Sequence, residues 1–520
     1  MYSVHKCVGR VYKIILLFTI IEATQIGIIP CLENGRFYRN PETSLGYVKN
    51  EDECSMYFLC LEGEVFEFRC SSGLVFDVEK QICDVQKNVE NCQLISEEVI
   101  QKPNIFNCED NYLSCKNGTC IPDDYFCDGS IDCIDSSDEI DCDLIKDKFL
   151  AKLCNADCEL PGCFCSIDGT KIPGNLPPQE VPQIILITFE GPINHDNFDL
   201  YTKTLFHQDI LNPNGCPIKA TFFVNHFNNN YYQTQLLWNY GHEIALNSIT
   251  NKNSKNWWSN NASLIDYFDE IIGQANMLNK FSKIRAKNLL GMRVPHLKIG
   301  GEKQFLMMKE FGLLYDNSII APFQDPPLWP YTLQFKIPHN CSNNQNCPLR
   351  SYPGVWEIIL NKFIVNKTTC TYINDCSKDL DLYKILITNF NRHYLTNRAP
   401  FGIHFKSDWF RNENNLIAIQ KFIENMMVYQ DVWFLTNSEA VEWIRNPLPL
   451  SKLKTSDVWN CDDDVDMERL KKYSEMVCDK PNVCKVFSSI FQEEKLMYTC
   501  EDCPEVYPWI KNEFGKKDFD

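Results

Sequence analysis

The stretch Gly241–Asn251 reads GHEIALNSITN and joins a short apolar run to a group of polar side chains. It follows two apolar runs, Ile184–Phe189 and Ala220–Val224, which have the length of buried strands. Polar residues gathered at a strand end are typical of a site on an α/β scaffold. Asn247 and Asn251 would share a face if this segment were a helical turn, a spacing that metal-binding histidines use. The stretch therefore predicts an α/β domain with a polar site, or the outline of one.

Strand-like and helix-like segments alternate on both sides of this stretch, between residues 154 and 450. This alternation is typical of a parallel barrel or an open doubly wound sheet, and both place their sites at the carboxyl ends of strands. The other predicted strands are His242–Ala245, Asn288–Met292, Leu314–Asp316, Phe401–Phe405 and Val432–Leu435. The predicted helices are Leu264–Met277, Glu302–Glu310, Asp379–Arg392 and Leu416–Tyr429.

The composition restricts the compartment and the partners. The 520 residues include 50 Lys and Arg against 69 Asp and Glu, which gives a net charge of −19. This charge argues against nucleic acid and anionic membranes as partners. The 27 cysteines indicate an oxidising compartment. The length predicts two to four domains rather than one.

Residues 1–23 have the pattern of a cleaved signal peptide, with basic residues before a short apolar core, Ile14–Ile21, and a small residue at Ala23. The core is too short to span a bilayer, and no later stretch is long and apolar enough to do so. We therefore predict a secreted protein without a membrane anchor. N-glycosylation sequons lie at Asn117, Asn261, Asn340 and Asn366.

Residues 28–95 form a first predicted module with six cysteines, separated by 22, 5, 9, 12 and 8 residues. This spacing, with aromatics between the cysteines, resembles the peritrophin-A type of chitin-binding domain. Six cysteines allow 15 pairings; the resemblance implies Cys31–Cys60, Cys54–Cys92 and Cys70–Cys83. Aromatic faces can stack on sugar rings, so chitin is the predicted partner, and each aromatic could instead be core. The candidate chitin-binding residues are Tyr57, Phe66, Phe68 and Phe76.

Residues 106–143 form a second six-cysteine module that ends in CDGSIDCIDSSDEIDC. So many carboxylates in a small unit repel one another unless a cation neutralises them, and oxygen ligands favour Ca²⁺. The segment resembles the LDL-receptor class A module. The resemblance implies Ca²⁺ ligation by the side chains of Asp128, Asp132, Asp138 and Glu139 and the backbone carbonyls of Tyr125 and Ser130. It also implies the disulfides Cys108–Cys120, Cys115–Cys133 and Cys127–Cys142.

Residues 154–450 resemble the polysaccharide deacetylase family, and the whole chain resembles arthropod chitin deacetylases that carry both modules. The motifs that carry the resemblance are GCFCSIDGTKIPGNLP (162–177), NPNGCPIKATFFV (212–224), GHEIALNSIT (241–250), GMRVP (291–295), PPLWPYT (326–332), RSYPGVWE (350–357), NRAPFGI (397–403) and CEDCPEVYPW (500–509). It implies a distorted (β/α) barrel after the two disulfide-rich modules. In the family, Zn²⁺ held by one Asp and two His activates water, while an Asp base and a His acid complete hydrolysis of the N-acetyl group.

All five of these family positions are changed in this chain. The base becomes Glu190, and the metal-binding Asp becomes Gly191. The two zinc-binding histidines become Asn247 and Asn251, and the acid becomes Lys406. An amide is a weaker zinc ligand than imidazole, and glycine offers no ligand. Arg293 and Trp356, which orient the base and wall the pocket in the family, are retained.

These changes predict a secreted chitin-binding pseudoenzyme of the extracellular chitin matrix, without bound Zn²⁺ and with chitin and other matrix proteins as partners. The alternative is an active or weakly active chitin deacetylase, for example with a relocated site formed by Glu190 and His404. We predict that His242 is structural and that His296 and His404 are ordinary groove residues. We also predict an ion pair between Lys406 and Glu190 in place of the metal charge.

The extension 451–520 contains five cysteines. Because five is odd, at least one should pair with the barrel or with the cysteines at its start, Cys154, Cys158, Cys163 and Cys165.

Overall fold

The computed structural model describes residues 149–517 with short gaps, and separate short segments before residue 149. The gaps after residue 149 are 156, 255, 343–344, 367, 377–380, 454–455, 457 and 462–476. The described segments before it are 37–38, 47–48, 54–61, 64–70, 74–78, 82–85, 89, 93–94, 112–114 and 119–122. The chain divides into two units, residues 1–143 and 144–520. The predicted signal peptide lies outside the described residues.

The first unit contains short strands. They are β1 (Phe37–Tyr38), β2 (Tyr47–Val48), β3 (Met56–Leu61), β4 (Glu64–Arg69), β5 (Leu74–Asp77), β6 (Ile82–Val85), β7 (Gln93–Leu94), β8 (Tyr112–Ser114) and β9 (Cys120–Pro122). β1, β3 and β4 form an antiparallel sheet. β5 pairs with β6, and β8 with β9, also antiparallel. Among the described residues of this unit, Cys54, Val75 and Val89 form a small buried cluster.

The second unit is built on a nine-stranded sheet. Its strands are β10 (Gln183–Glu190), β11 (Thr221–Asn225), β12 (Glu243–Ser248), β13 (Gly291–Met292), β14 (Tyr315–Asp316), β15 (Tyr331–Thr332), β16 (Trp356–Glu357), β19 (Phe401–Lys406) and β20 (Val432–Phe434). The order is β15-β16-β14-β13-β12-β11-β10-β19, with β20 also on β10, and all neighbours except β15 and β16 are parallel. The two ends, β15 and β19, do not pair, so the sheet is an incomplete barrel.

The curl of the sheet follows from its core. Ile184, Phe223, Tyr315, Trp356 and Trp433 come from different strands, yet they share one buried cluster. All eight residues of β10 are buried, as expected for a strand covered on both faces of a parallel sheet. Each predicted strand of this domain is confirmed, with ends that differ by up to three residues.

Helices surround the sheet. They are α1 (His195–Asp199), α2 (Tyr231–Asn239), α3 (Leu264–Tyr267), α4 (Gly273–Ser282), α5 (Glu302–Phe311), α6 (Leu382–Tyr394), α7 (Glu413–Met426), α8 (Asn437–Arg445) and α9 (Leu450–Leu453). The predicted helix Leu264–Met277 is interrupted by a π-helical turn, Phe268–Ile272, between α3 and α4. Side chains of Asn194, Asn230, Ser263, Asp381, Asn412 and Thr436 cap helix starts by accepting backbone N–H groups. No described helix is long and apolar enough to cross a membrane.

Disulfides link loops and the C-terminal extension of the second unit. Cys154–Cys165 and Cys158–Cys163 close the segment before the sheet, and Cys341–Cys347 and Cys370–Cys376 each close a loop. Cys216–Cys461 ties the C-terminal extension to the barrel, which confirms the prediction from the odd cysteine count. Cys478–Cys500 and Cys484–Cys503 brace the hairpin of β21 (Asn482–Ser488) and β22 (Glu493–Thr499). β17 (Phe363–Val365) and β18 (Thr368–Cys370) form a second hairpin.

Candidate functional site

Asn247 lies within strand β12, so the idea that Asn247 and Asn251 share a helical face is wrong. The run Ile244, Ala245 and Leu246 pairs in register with β11, and every residue of β12 is buried. Strand pairing on both sides therefore overrides the four-residue spacing. Asn251 follows the strand with a φ of 46°, a left-handed conformation that Asn tolerates better than most residues.

Asn247 is held through its side chain, and Asn251 through its backbone. The Asn247 amide Nδ2 donates to the carbonyl oxygen of Arg293 at 3.0 Å, and Asn247 is fully buried. The Asn251 backbone N–H donates to Ser248 Oγ at 2.9 Å. The Oδ1 atoms of Asn247 and Asn251 are buried without a hydrogen-bond partner among the described residues. The two side chains thus present neutral amide oxygens where the family has imidazoles.

Gly191, the third position, directly follows β10. Its φ of 131° is one that L-residues rarely adopt, and its N–H donates to the Phe223 carbonyl at 3.0 Å. The backbone itself therefore disfavours an aspartate here. Within the described residues, the cluster of three or more His, Cys, Asp or Glu ligand atoms is Cys158, Cys163 and Cys165, all disulfide-bonded. The residues at Gly191, Asn247 and Asn251 do not fit a zinc ion, which needs anionic or imidazole ligands.

Glu190, at the base position, is bonded to a tyrosine that the sequence analysis did not identify. Tyr372 Oη donates to Glu190 Oε2 at 2.6 Å, and Glu190 is 8% exposed. Lys406 pairs with Glu190 in strand register, yet its side chain is exposed and the described residues show no ion pair between them. The predicted ion pair is therefore wrong, because the hydroxyl of Tyr372 occupies the carboxylate.

Arg293 is fully buried and bonds away from Glu190. Its Nε donates to the Asn317 carbonyl at 3.0 Å, and its Nη2 donates to Thr188 Oγ1 at 3.0 Å and to His404 Nδ1 at 3.1 Å. The described residues show no hydrogen bond from Arg293 to Glu190, so the expected orienting role is not seen.

His404 is buried beneath the groove and does not line it, so the expectation of a groove histidine is wrong. Because a guanidinium can only donate, Nδ1 must accept, and the proton of the neutral ring lies on Nε2. Burial, together with the Arg293 charge, lowers the pKa of His404 well below its usual range. The relocated site of Glu190 and His404 is not formed, since each has other partners.

Trp356 is a core residue and does not wall the groove, contrary to expectation. It is 1% exposed and belongs to the cluster that also contains Tyr315 and Trp329. Its strand, β16, lies between β14 and β15, which buries the indole inside the incomplete barrel.

The other two histidines match their predictions. His242 is buried, its Nδ1 accepts the Ala220 N–H at 3.2 Å, and burial lowers its pKa to about 3. His296 is exposed and lines the groove. His242 is therefore structural, and His296 is a polar groove residue.

The groove has a volume of about 590 Å³ and lies at the carboxyl ends of β10 and β19, beside Glu190 and Lys406. Sequence reasoning missed three of its residues, Tyr372, Lys298 and Lys362. The signal for Tyr372 was its place in CTYINDC, a loop that Cys370–Cys376 closes. The lining residues are Glu190, His296, Leu297, Lys298, Ile320, Ser342, Gln345, Lys362, Thr369, Cys370, Thr371, Tyr372, Asn374, Asp375 and Lys406.

In the first unit the aromatic candidates divide into two kinds. Tyr57 stacks on Phe76 at 4.2 Å and on Phe68 at 5.5 Å between ring centroids. Tyr57 and Phe68 are half-buried, whereas Phe76 is 2% exposed. Phe76 is therefore a core residue, and its predicted contact with chitin is wrong. The side chain of Phe66 lies outside the described residues.

Several predicted features of the first unit lie outside the described residues. Cys54, Cys70 and Cys120 are disulfide-bonded, but each predicted pairing involves at least one cysteine whose side chain lies outside the described residues. The predicted Ca²⁺ ligands Tyr125, Asp128, Ser130, Asp132, Asp138 and Glu139 are likewise not described.

Comparison with known proteins identifies two domains of the chain and two similar proteins. A peritrophin-A chitin-binding domain matches residues 41–92, and a low-density lipoprotein receptor class A domain matches residues 106–142. "Chitin deacetylase 1" of Bombyx mori is 38% identical over 484 residues, 89% of this chain and 88% of the relative. "Chitin deacetylase 8" of Bombyx mori is 32% identical over 379 residues, 71% of this chain and 94% of the relative.

A solved polysaccharide deacetylase structure from Mycobacterium smegmatis, described as putative, covers 55% of this chain and 95% of its own chain, with 15% identity and a TM-score of 0.34. The extent and identity of the Bombyx mori matches, together with the two modules, decide the family. The chain belongs to the chitin deacetylase family, with a peritrophin-A chitin-binding domain and an LDL-receptor class A domain before the deacetylase-like domain.

Proposed function

We propose that this chain is a secreted chitin-binding protein of the extracellular chitin matrix whose deacetylase-like domain no longer hydrolyses N-acetyl groups. The proposal rests on the residues at the three positions where the family binds its metal. Gly191 has no side chain and a φ of 131°, and Asn247 donates its amide to the Arg293 carbonyl. Without anionic or imidazole ligands, a metal that would activate water is not retained.

The acid and base positions support the same conclusion. Glu190 Oε2 accepts a hydrogen bond from Tyr372 at 2.6 Å, and without a metal the Glu190 carboxylate has no activated water to take a proton from. Lys406 replaces the acid, and a lysine ammonium is in general a weaker proton donor than the histidine imidazolium that the family uses. Each of the catalytic positions therefore lacks the group that hydrolysis requires.

Acetate release from chitin oligomers tests this proposal. Purified full-length chain, with added Zn²⁺ or Co²⁺, is expected to release no acetate above a heat-denatured control. A family member with the intact Asp, His and His ligands, assayed in parallel, provides the positive control. Metal-dependent turnover by this chain would establish the alternative, an active or weakly active deacetylase, for which the named relatives are the argument.

We also propose that the LDL-receptor class A domain binds Ca²⁺ through Asp128, Asp132, Asp138, Glu139 and the carbonyls of Tyr125 and Ser130. The carboxylate density of this segment supports Ca²⁺ over softer metals. Asp132→Asn should weaken Ca²⁺ binding at least tenfold in isothermal titration of the full chain. Equal affinity in the wild type and the variant would rule out this ligand set.

A further inference from the structure

The groove beside Glu190 carries three lysines that no acidic group neutralises directly. Lys298 follows β13, Lys362 follows β16, and Lys406 ends β19. The described residues show no carboxylate within ion-pair distance of any of the three side chains. The carboxylates that line the groove are Glu190 and Asp375.

The two carboxylates do not balance the lysines in the accessible part of the groove. Glu190 is 8% exposed and its Oε2 accepts the Tyr372 hydroxyl, and its single negative charge does not offset three ammonium groups. Asp375 remains as the exposed acidic group against three ammonium groups. The groove is thus cationic on a chain whose net charge is −19. A local field opposite to that of the whole molecule concentrates anions at this position.

The groove also offers polar groups that the fold itself does not use. The hydroxyls of Ser342, Thr369 and Thr371 and the amide Nδ2 of Asn374 line it or border it, and none has a hydrogen-bond partner among the described residues. Hydroxyls and amides of this kind recognise a polyhydroxylated ligand. The volume of about 590 Å³ lies within the range of small-molecule sites and is sufficient for a sugar.

We propose that this groove binds an acidic saccharide, one that carries a carboxylate or sulfate group on a sugar ring. The three lysines bind the anionic group, while the free hydroxyl and amide groups contact the sugar hydroxyls. Neutral chitin has no group that uses the lysines, and deacetylated chitin carries ammonium groups that they repel. The inference goes beyond the proposed function and rests on it in one respect, that no metal cation occupies the site.

Titration of the full-length chain with three probes tests the proposal: glucuronic acid, glucose 6-sulfate and, as the neutral control, glucose. None carries an N-acetyl group, so the result does not depend on whether the chain releases acetate. Isothermal titration at low ionic strength should show both acidic sugars binding at least tenfold more tightly than glucose. The affinity should fall on addition of salt, because the groove is open to solvent. Binding of one acidic sugar and not the other identifies the anionic group.

The variant Lys298→Gln/Lys362→Gln/Lys406→Gln should lose at least tenfold in affinity for the acidic sugars. The matched control is Lys309→Gln, an exposed lysine on α5 outside the groove, which should retain wild-type affinity. Tyr57→Leu should also retain it, which excludes the chitin-binding domain as the source. Equal binding of glucose and the acidic sugars, or unchanged affinity in the triple variant, would overturn the proposal. Inorganic sulfate binding as tightly as glucose 6-sulfate would overturn the saccharide part.

Discussion

Gly191 combines the loss of a metal-binding side chain with a backbone conformation that disfavours any side chain. Its φ of 131° lies outside the range that L-residues favour, and a Cβ placed there would meet no atom within 4 Å. Space is therefore available, and conformation alone opposes a side chain. Asn251, with a φ of 46°, is a second left-handed position in the same site. An aspartate at position 191 would be strained in this backbone conformation.

Gly191→Ala should lower the free energy of unfolding of the deacetylase-like domain by about 1–2 kcal/mol, the cost of a strained backbone conformation. Denaturant unfolding with disulfides intact measures it. Gly162→Ala is the matched control, since this glycine has no positive φ and its nearest neighbour would be Glu159 O at 3.9 Å. We expect a change within about 0.5 kcal/mol for the control. A loss in Gly162→Ala as large as in Gly191→Ala would contradict this explanation.

At the scale of elements, strands β14 and β16 bring two buried carboxyl groups together. Asp316 and Glu357 are in register and fully buried. Asp316 accepts Gln304 Nε2 at 2.9 Å, Ser318 Oγ at 2.8 Å and Ser318 N–H at 3.0 Å. Glu357 Oε1 accepts the Ile319 N–H at 3.0 Å, and its Oε2 has no hydrogen-bond partner among the described residues. Asp316 is therefore better stabilised as a carboxylate than Glu357.

The pKa values of both groups rise because burial disfavours their charged forms. The pKa of Asp316 rises to about 6, and burial followed by the Asp316 charge raises that of Glu357 well above its usual range. The charge of Arg293 lowers the pKa of Asp316 against this trend, but burial outweighs it. The folded state thus binds more protons than the unfolded state above pH 4. The pair stabilises fully below that pH, and its contribution is lost as pH rises through 6 and above.

Glu357→Gln should remove this loss of stability at high pH. The amide oxygen can still accept the Ile319 N–H, but the side chain cannot ionise. Relative to the wild type, we expect the free energy of unfolding of the variant to rise by about 1 kcal/mol as the pH goes from 5 to 8, on the scale of one pKa unit. Denaturant unfolding of both proteins at the two pH values measures it. Asp316→Asn should lower the free energy of unfolding at both pH values, because the amide cannot accept all three donors. A gain in Glu357→Gln that does not depend on pH would contradict this account of the two carboxyl groups.

The elements were predictable where one physical rule dominated. β10 was found because a strand buried on both faces is apolar without alternation, and α7, predicted as Leu416–Tyr429, because its apolar residues recur at helical spacing. α8 was not predicted, although a capping box at Thr436 precedes it. The directions of side chains were not predictable. Trp356 is a residue that the family also has, and His404 lies beside a family motif. Yet both side chains point into the interior of the incomplete barrel. Residue identity alone does not tell which face of a curled strand a side chain takes.

At the scale of the whole molecule, chitin recognition and the altered groove belong to different units of the chain. Cysteine spacing predicted both small domains, because covalent closure sets their folds more than an apolar core does. The odd cysteine count of the extension predicted the tie that Cys216–Cys461 makes. The partner of Glu190 was not predictable, because Tyr372 lies 182 residues away in sequence.

Tyr57→Leu should reduce retention of the full chain on insoluble chitin about tenfold, since it removes the aromatic face while keeping apolar contact with Phe76. A chitin sedimentation assay measures it. The triple lysine-to-glutamine variant of the groove serves as the control and should be retained like the wild type. Loss of retention in the lysine variant, with Tyr57→Leu unaffected, would move chitin binding to the deacetylase-like domain.

The central claim is that no zinc site remains at Gly191, Asn247 and Asn251. Titration of the calcium-saturated full chain with Co²⁺, followed by the visible absorption of the metal, reports on such a site without reference to activity. We predict that the chain has no site that binds one equivalent of Co²⁺. We also predict that the visible absorption spectra of the wild type and Asn247→Ala are identical. One tightly bound Co²⁺ per chain, lost in Asn247→Ala and displaced by Zn²⁺, would contradict the claim.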